Sequence, residues 1–372
     1  MTPLKKHLIR RIGIEGPLSV ADYMALCLLH PEHGYYVGEQ PFGADGDFIT
    51  APDVSQMFGE LTAAWLVQAW QAIGSPRGFH LCEIGPGRGS WMRDITSTLS
   101  KLAPAMLDAA QFLMVEKSAR LADAQAKALG SLTDRIDWIE SIAQLDGLPT
   151  LFIANELFDA LPARQFVKTG HGWLERMVGL DDKGELAMVI GSASIDQTLL
   201  PLEAAAAADG TVFEYAPARE ALCQQMAEHI HRHGGIALII DYGHEKSAMG
   251  DTLQAVRKHQ YEHIFAHPGQ ADLTSHVDFQ ALQIAAAAGG AKASNIITQA
   301  DFLLGLGLLE RAGALGADKD DMTRQKITQD VNRLAGSGDD QMGQLFKVLC
   351  LSGKSTIPPA PFTPAKVQEI DG

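Results

Sequence analysis

From Phe79 onward the chain alternates short apolar runs with helical stretches, and this alternation restricts the possible fold more than any other feature. The runs lie at Phe79–Ile84, Gln111–Glu116, Ile136–Ile139, Leu151–Ala154, Ile236–Asp241, roughly 292–297, and Phe346–Leu351. Each is too short for a helix, and helical segments separate most of them. Parallel strands need crossover connections, which helices supply, so the pattern predicts a doubly wound, mostly parallel seven-stranded α/β sheet covered on both faces. Between Arg164 and Asp209 the rhythm breaks. Shorter candidate strands at Gln165–Val167, Trp173–Val178 and Leu186–Ile190 predict a β-rich insertion after the fourth strand, spanning about 164–215.

The region before the sheet reads differently. Ser19-Val20-Ala21-Asp22 has the form of an N-terminal capping signal, and a helix to about Leu29 is expected after it. Residues 30–53 are rich in glycine, proline and aromatics, and helical periodicity returns over Val54–Ile73. Long aperiodic stretches inside compact domains are often functional, so this one is read as a lid-like loop. The expected division is therefore 1–75 as an N-terminal helical region carrying that loop, 76–355 as the sheet domain, and 356–372 as an irregular, proline-rich tail.

Composition removes several function classes. The formal net charge of −15 argues against a nucleic-acid backbone, whose neutralisation needs clustered Lys and Arg, so no nucleic-acid partner is expected. A basic protein substrate is compatible with that charge. No apolar run approaches the ~18 residues of a membrane span. The start, MTPLKKHLIRRIG, lacks the apolar stretch of a secretory signal and reads as an amphipathic helix. Cys27, Cys82, Cys223 and Cys350 are scattered and form no CxxC pair, which fits buried thiols better than disulfides or zinc. His259, His263 and His267 recur every four residues, as on one face of a helix, but no accompanying motif supports a metal and none is expected.

The first apolar run leads into Glu83-Ile84-Gly85-Pro86-Gly87-Arg88-Gly89 and then a helix. Glycines at alternate positions allow positive φ and let a ligand approach the backbone closely. In an open α/β sheet, ligands lie outside the carboxyl ends of the strands near the switch in strand order, where this loop falls. No lysine follows Gly89, which excludes a P-loop, and the spacing is ExGxGxG where a dinucleotide fingerprint is GxGxxG. The pattern resembles the first motif of class I S-adenosylmethionine methyltransferases. A cofactor with a sulfonium and an amino-acid end tolerates Glu83, whereas a diphosphate would be repelled. Glu116 ends the second strand, where a carboxylate can accept both ribose hydroxyls. On the third strand Asp137 or Trp138 is a candidate for the adenine. Each also has a plainer reading: Glu116 as a strand end, Trp138 as core.

The fourth strand runs directly into Asn155-Glu156-Leu157-Phe158-Asp159. In this fold its end faces the transferred methyl group. Glu156 and Asp159 can orient a cationic nucleophile such as a guanidinium and accept its proton, which makes them candidate catalytic residues. Alternatively, Asp159 starts a helix and Glu156 serves the cofactor or the loop. Farther on, Thr274 or Ser275 reads as a helix cap with Asp278 in the first turn.

Six stretches together resemble one family, the MidA-like methyltransferases: YMALCLLHPEHGYY, GDFITAPDVSQMFGE, EIGPGRGSWMRD, LMVEKSARL, NELFDALPARQF and HPGQADLTSHVDF. They run from Tyr23 to Phe279 in the family's order, with Asp53 where Glu is usual and Ala119 where proline is common. The resemblance implies a class I methyltransferase fold with an N-terminal helical extension and an insertion after strand 4. It implies S-adenosyl-L-methionine as cofactor, bound by Glu83, Gly85, Gly87, Gly89, Glu116, Asp137, Trp138 and Asn155. It adds Asp47 and Glu60 as catalytic candidates and Thr50 and Gln56 on the cofactor side. It further implies arginine methylation of a complex I subunit in support of assembly, in a bacterial cytoplasm or a mitochondrial matrix. A non-catalytic assembly chaperone, a small-molecule methyltransferase and a homodimer remain alternatives at this stage.

Overall fold

The computed structural model describes residues 1–37, 49–338 and 340–363. It divides into two compact units, each assembled from three separate stretches of chain. One unit comprises Thr50–Leu157, Leu222–Glu245 and Phe279–Gly372, and holds the large sheet. We number its strands in chain order: β1 Phe79–Ile84, β2 Ala110–Val115, β3 Ile136–Ile139, β4 Thr150–Asn155, β5 Gly235–His244, β6 Lys292–Ala293 and β7 Phe346–Ser352. Across the sheet they run β6-β7-β5-β4-β1-β2-β3. The five strands from β5 to β3 are parallel, while β7 is antiparallel to β5. Strand order reverses between β1 and β4, which opens a crevice at their carboxyl ends.

β1 is buried at all six positions and β4 at its first five, as expected of strands covered on both faces. The helices Gln56–Ala72 and Ser90–Leu102 supply much of that cover. Trp91, Met92, Ile95 and Leu99 recur at helical spacing and are buried, and Phe58, Trp65 and Phe79 lie in the same cluster. The expected strand at about 292–297 is instead two short pieces, Lys292–Ala293 and Ile297–Thr298, both paired with β7. Ser294 interrupts it: its N–H donates to the Cys350 carbonyl, and its hydroxyl oxygen accepts from the Cys350 N–H.

The other unit comprises Met1–Ile49, Phe158–Ala221 and Lys246–Asp278. Its helices Pro3–Glu15 and Val20–Leu29 begin at side-chain caps from Thr2 and Ser19. They share an apolar cluster with Tyr35, Val178, Leu186, Phe265 and Leu273. Arg164–Thr169, Gly172–Leu180, Leu186–Ser194 and Val212–Tyr215 form an antiparallel sheet. The histidine spacing does not mark a helix. Lys258 and His259, with φ of 51° and 60°, form the two-residue turn between Gln254–Arg257 and Gln260–Glu262. His267 pairs with Glu262. Nor does a helix start at Thr274, which ends the strand Asp272–Thr274; the next helix begins at Phe279. Among the described residues, no helix is long and apolar enough to cross a membrane.

Candidate functional site

β1 delivers the chain into the glycine loop at the crevice. Gly85, Gly87 and Gly89 have φ of 68°, 52° and 78°, a region that residues with a Cβ enter at a cost of about 1–2 kcal/mol. The three glycines answer different needs. A Cβ on Gly85 would stand 2.7 Å from Leu157 Cδ1, so this position is closed by packing. A Cβ on Gly87 would meet no heavy atom within 4 Å among the described residues, so the space beside it is open. Gly89 is the left-handed cap from which the helix Ser90–Leu102 starts.

Glu83 is buried under this loop. It accepts from the Met92 N–H, one of the donors that a helix start leaves unpaired. Its Oε2 has no hydrogen-bond partner among the described residues. Burial pushes its carboxyl from an ordinary 4.5 up to about 8. The sign of the consequence follows from linkage. Between those two values the unfolded chain has released this proton and the folded chain keeps it, so folding loses stability as pH rises through that window. Without cofactor, wild-type stability relative to Glu83→Gln should therefore fall from pH 5 to 8 in chemical denaturation. A difference that does not change with pH would remove this account.

Opposite the loop, Glu116 follows β2 directly. Its Oε1 accepts from the Ser118 N–H at 2.8 Å and its Oε2 from Gln125 Nε2 at 3.1 Å. The same Gln125 nitrogen donates to the Gly87 carbonyl at 3.0 Å, and Gln125 Oε1 accepts from the Trp138 indole N–H at 2.8 Å. Gln125 thus joins the glycine loop, Glu116 and Trp138, yet motif reasoning does not select it. A signal did exist: on the helix Ala119–Leu129 the buried positions are Leu121, Gln125 and Leu129, an apolar stripe with a glutamine in the middle. Asp137 is exposed, and strand alternation sets it on the face opposite Trp138, away from this network.

At the end of β4, Glu156 has φ of 50°. A glutamate in this conformation is uncommon and costs of order 1–3 kcal/mol, a strain typical of functional sites. The surroundings hold it there. Its N–H donates to the Ile240 carbonyl, and the next N–H, of Leu157, donates to the fully buried Asp241 carboxylate. Glu156 Oε1 accepts from the Ala51 N–H at 3.2 Å and from Asn155 Nδ2 at 3.1 Å. Asn155 Oδ1 is buried with no partner among the described residues. Thr50 donates to Asp53 Oδ2, and Ser90, the residue after the loop, donates to Asp53 Oδ1. Asp53 therefore ties Thr50 to the glycine loop.

The remaining candidates make other contacts. Glu60 is held by Arg311 through two bonds of 2.7 Å and by Gln56 at 3.2 Å, and none of these contacts reaches the loop. Asp159 is buried in the other unit, where its carbonyl accepts from Arg219 and from the Ser275 N–H. Asp47 lies outside the described residues.

Known proteins supply the chemistry. Residues 61–297 match the model of a family described as "Putative S-adenosyl-L-methionine-dependent methyltransferase". The protein arginine methyltransferase NDUFAF7, mitochondrial, of Xenopus laevis is 33% identical over 92% of this chain and 83% of its own. Its Homo sapiens counterpart is 31% identical over 94% and 83%. A solved structure of a superfamily member from Burkholderia thailandensis, bound to S-adenosyl-homocysteine, superposes with TM-score 0.80 and 28% identity, covering 94% of this chain and 91% of that one. The site suits such a cofactor. Open space beside Gly87 leaves room for it, and the unpartnered acceptors Glu83 Oε2 and Asn155 Oδ1 match the N–H donors of its amino-acid end. The chain belongs to the MidA-like family of methyltransferases, and S-adenosyl-L-methionine is its cofactor.

Proposed function

We propose that the protein methylates an arginine of a protein substrate, a subunit of respiratory complex I, in the compartment where that complex is assembled. The observation that carries the reading is similarity over nine-tenths of the chain to enzymes named protein arginine methyltransferases, the first of them 33% identical. The cofactor supplies an electrophilic methyl group on sulfur. Gly87, Glu116 and Gln125 hold it, with Trp138 beside the base and Glu83 and Asn155 at the amino-acid end. Glu156 orients the guanidinium through charge-assisted hydrogen bonds, so that a nitrogen lone pair meets the methyl carbon in line. As the N–C bond forms and the S–C bond breaks, the guanidinium proton passes to a carboxylate. Glu156 is the group we assign to this step, and Asp159 is the second candidate. Thr50 braces the loop through Asp53, and Glu60 with Gln56 braces the helix Gln56–Ala72.

Labelled methyl transfer to lysate from a strain lacking the protein should mark a protein band on arginine. Label on small molecules alone, or none from a protein that binds S-adenosylhomocysteine, would overturn this reading. Cofactor recognition is tested separately. Glu116→Ala should weaken S-adenosylhomocysteine binding by roughly 1–3 kcal/mol through lost charge-assisted hydrogen bonds. Gln125→Leu removes bonds to three partners and should weaken it by about 1–2 kcal/mol. Wild-type affinity of both variants in titration calorimetry would place the cofactor elsewhere.

A further inference from the structure

We propose that the outer edge of the strand Leu186–Ser194 docks the protein substrate as an added β-strand, taking an extended, basic segment of polypeptide. The proposal rests on the protein-substrate reading above and concerns a surface remote in sequence from the cofactor motifs. The strand reads LAMVIGSAS and pairs with Gly172–Leu180. Among the described residues that is its one strand neighbour. An unpaired edge is a row of backbone donors and acceptors ready to bind another chain, and proteins usually protect such edges with charge or proline. These nine residues contain neither. The register shifts between Ile190 and Ser194, where three residues of this strand face the single Glu175 of its neighbour, so the regular edge is Leu186–Ile190.

On the sheet face inward of this edge is a concavity of about 530 Å³, to which the strand contributes Met188 and Ile190, the strands beyond its neighbour Val167 and Val212, and a loop Met249. Ile190 is 58% exposed. In strand addition the backbone supplies affinity and pockets for alternate side chains supply selectivity. Here the open edge offers the first, and the concavity on the adjoining sheet face offers the second to side chains that lean over Ile190. The two charged groups lining it, Arg176 and Asp251, pair with each other, and Arg176 also donates to Gln165.

Charge identifies the occupant. The chain around the strand carries Asp181, Asp182, Asp196, Glu203 and Asp209 against Lys183, while Glu185 is matched by Lys5 at 2.9 Å. An uncharged strand flanked by carboxylates attracts a segment whose ends are basic, as the neighbourhood of a target arginine would be. A second copy of this chain fits less well. Antiparallel self-pairing would set Asp181 and Asp182 of one copy against Asp196 of the other.

The test uses the full chain with S-adenosylhomocysteine present. The probes are two synthetic peptides of equal length, one alternating valine with arginine and one alternating valine with glutamate. The basic peptide should bind by fluorescence anisotropy, weaken with added salt, and slow hydrogen exchange over 186–194. Ile190→Lys and Ala193→Lys add like charge at exposed edge positions, and should weaken it on the order of tenfold while melting temperature and cofactor affinity stay unchanged. Equal binding of the acidic peptide, or unchanged binding to both variants, overturns the proposal. Sedimentation showing a dimer that Ile190→Lys dissociates would assign the edge to a second copy and also overturn it. Basic-peptide binding without arginine labelling would leave the docking strand standing and remove the arginine chemistry instead.

Discussion

Gly87→Val should abolish cofactor binding, raising the dissociation constant of S-adenosylhomocysteine by on the order of 10²-fold or more, about 3 kcal/mol. A Cβ at this position meets nothing among the described residues within 4 Å, so valine would fill the space that the open loop reserves for the ligand. Its φ of 52° adds a folding cost of about 1–2 kcal/mol, visible as a modestly lower melting temperature. Gly85→Ala should behave in the opposite way. Its Cβ would press on the end of the Leu157 side chain, which must shift, and its φ of 68° is unfavourable, so its first effect should be a lower melting temperature. Wild-type affinity for Gly87→Val in titration calorimetry would show that the ligand does not approach this loop.

Glu156→Gln should lower the rate of protein methylation by ~10²-fold or more while changing cofactor affinity by less than about tenfold. The amide keeps the shape of the side chain, and its oxygen can still accept from the Ala51 N–H. What it loses is the negative charge that orients a guanidinium and takes its proton. Asp159→Asn, measured with the same substrate, reads the second candidate independently. A Glu156→Gln enzyme with the wild-type rate would remove this carboxylate from the mechanism. A collapse of rate and affinity together would make Glu156 a cofactor ligand.

Most of the large sheet could be read from the chain because its strands are buried on both faces. Phe79–Ile84 appears at the bounds its apolar run indicates, and so does Ile136–Ile139, although that edge strand leaves Asp137 exposed. The turn at Lys258-His259 could not be read in this way. Such turns usually carry Asn-Gly, and the histidine spacing imitates a helix face. Motif spacing marks the glycine loop and Glu116, but not the residues that join them. Gln125 acts through side-chain hydrogen bonds to positions far along the chain, and Asp53 bridges Thr50 to Ser90 in the same manner. The packing of residues 1–37 with 158–221 and 246–278 is equally invisible to local pattern, since it consists of long-range contacts.

The backbone at Glu156 has a practical consequence for engineering. A side chain held at φ 50° carries a backbone strain that glycine or asparagine would relieve, both of which enter that region easily, against the hydrogen bonds its carboxylate accepts from Ala51 and Asn155. Selection of a variant library for heat resistance alone should therefore enrich Gly or Asn at position 156 and return robust, inactive proteins, the trade between stability and activity that strained active sites impose. A library screened for methyl transfer should keep Glu at this position and gain its heat resistance elsewhere.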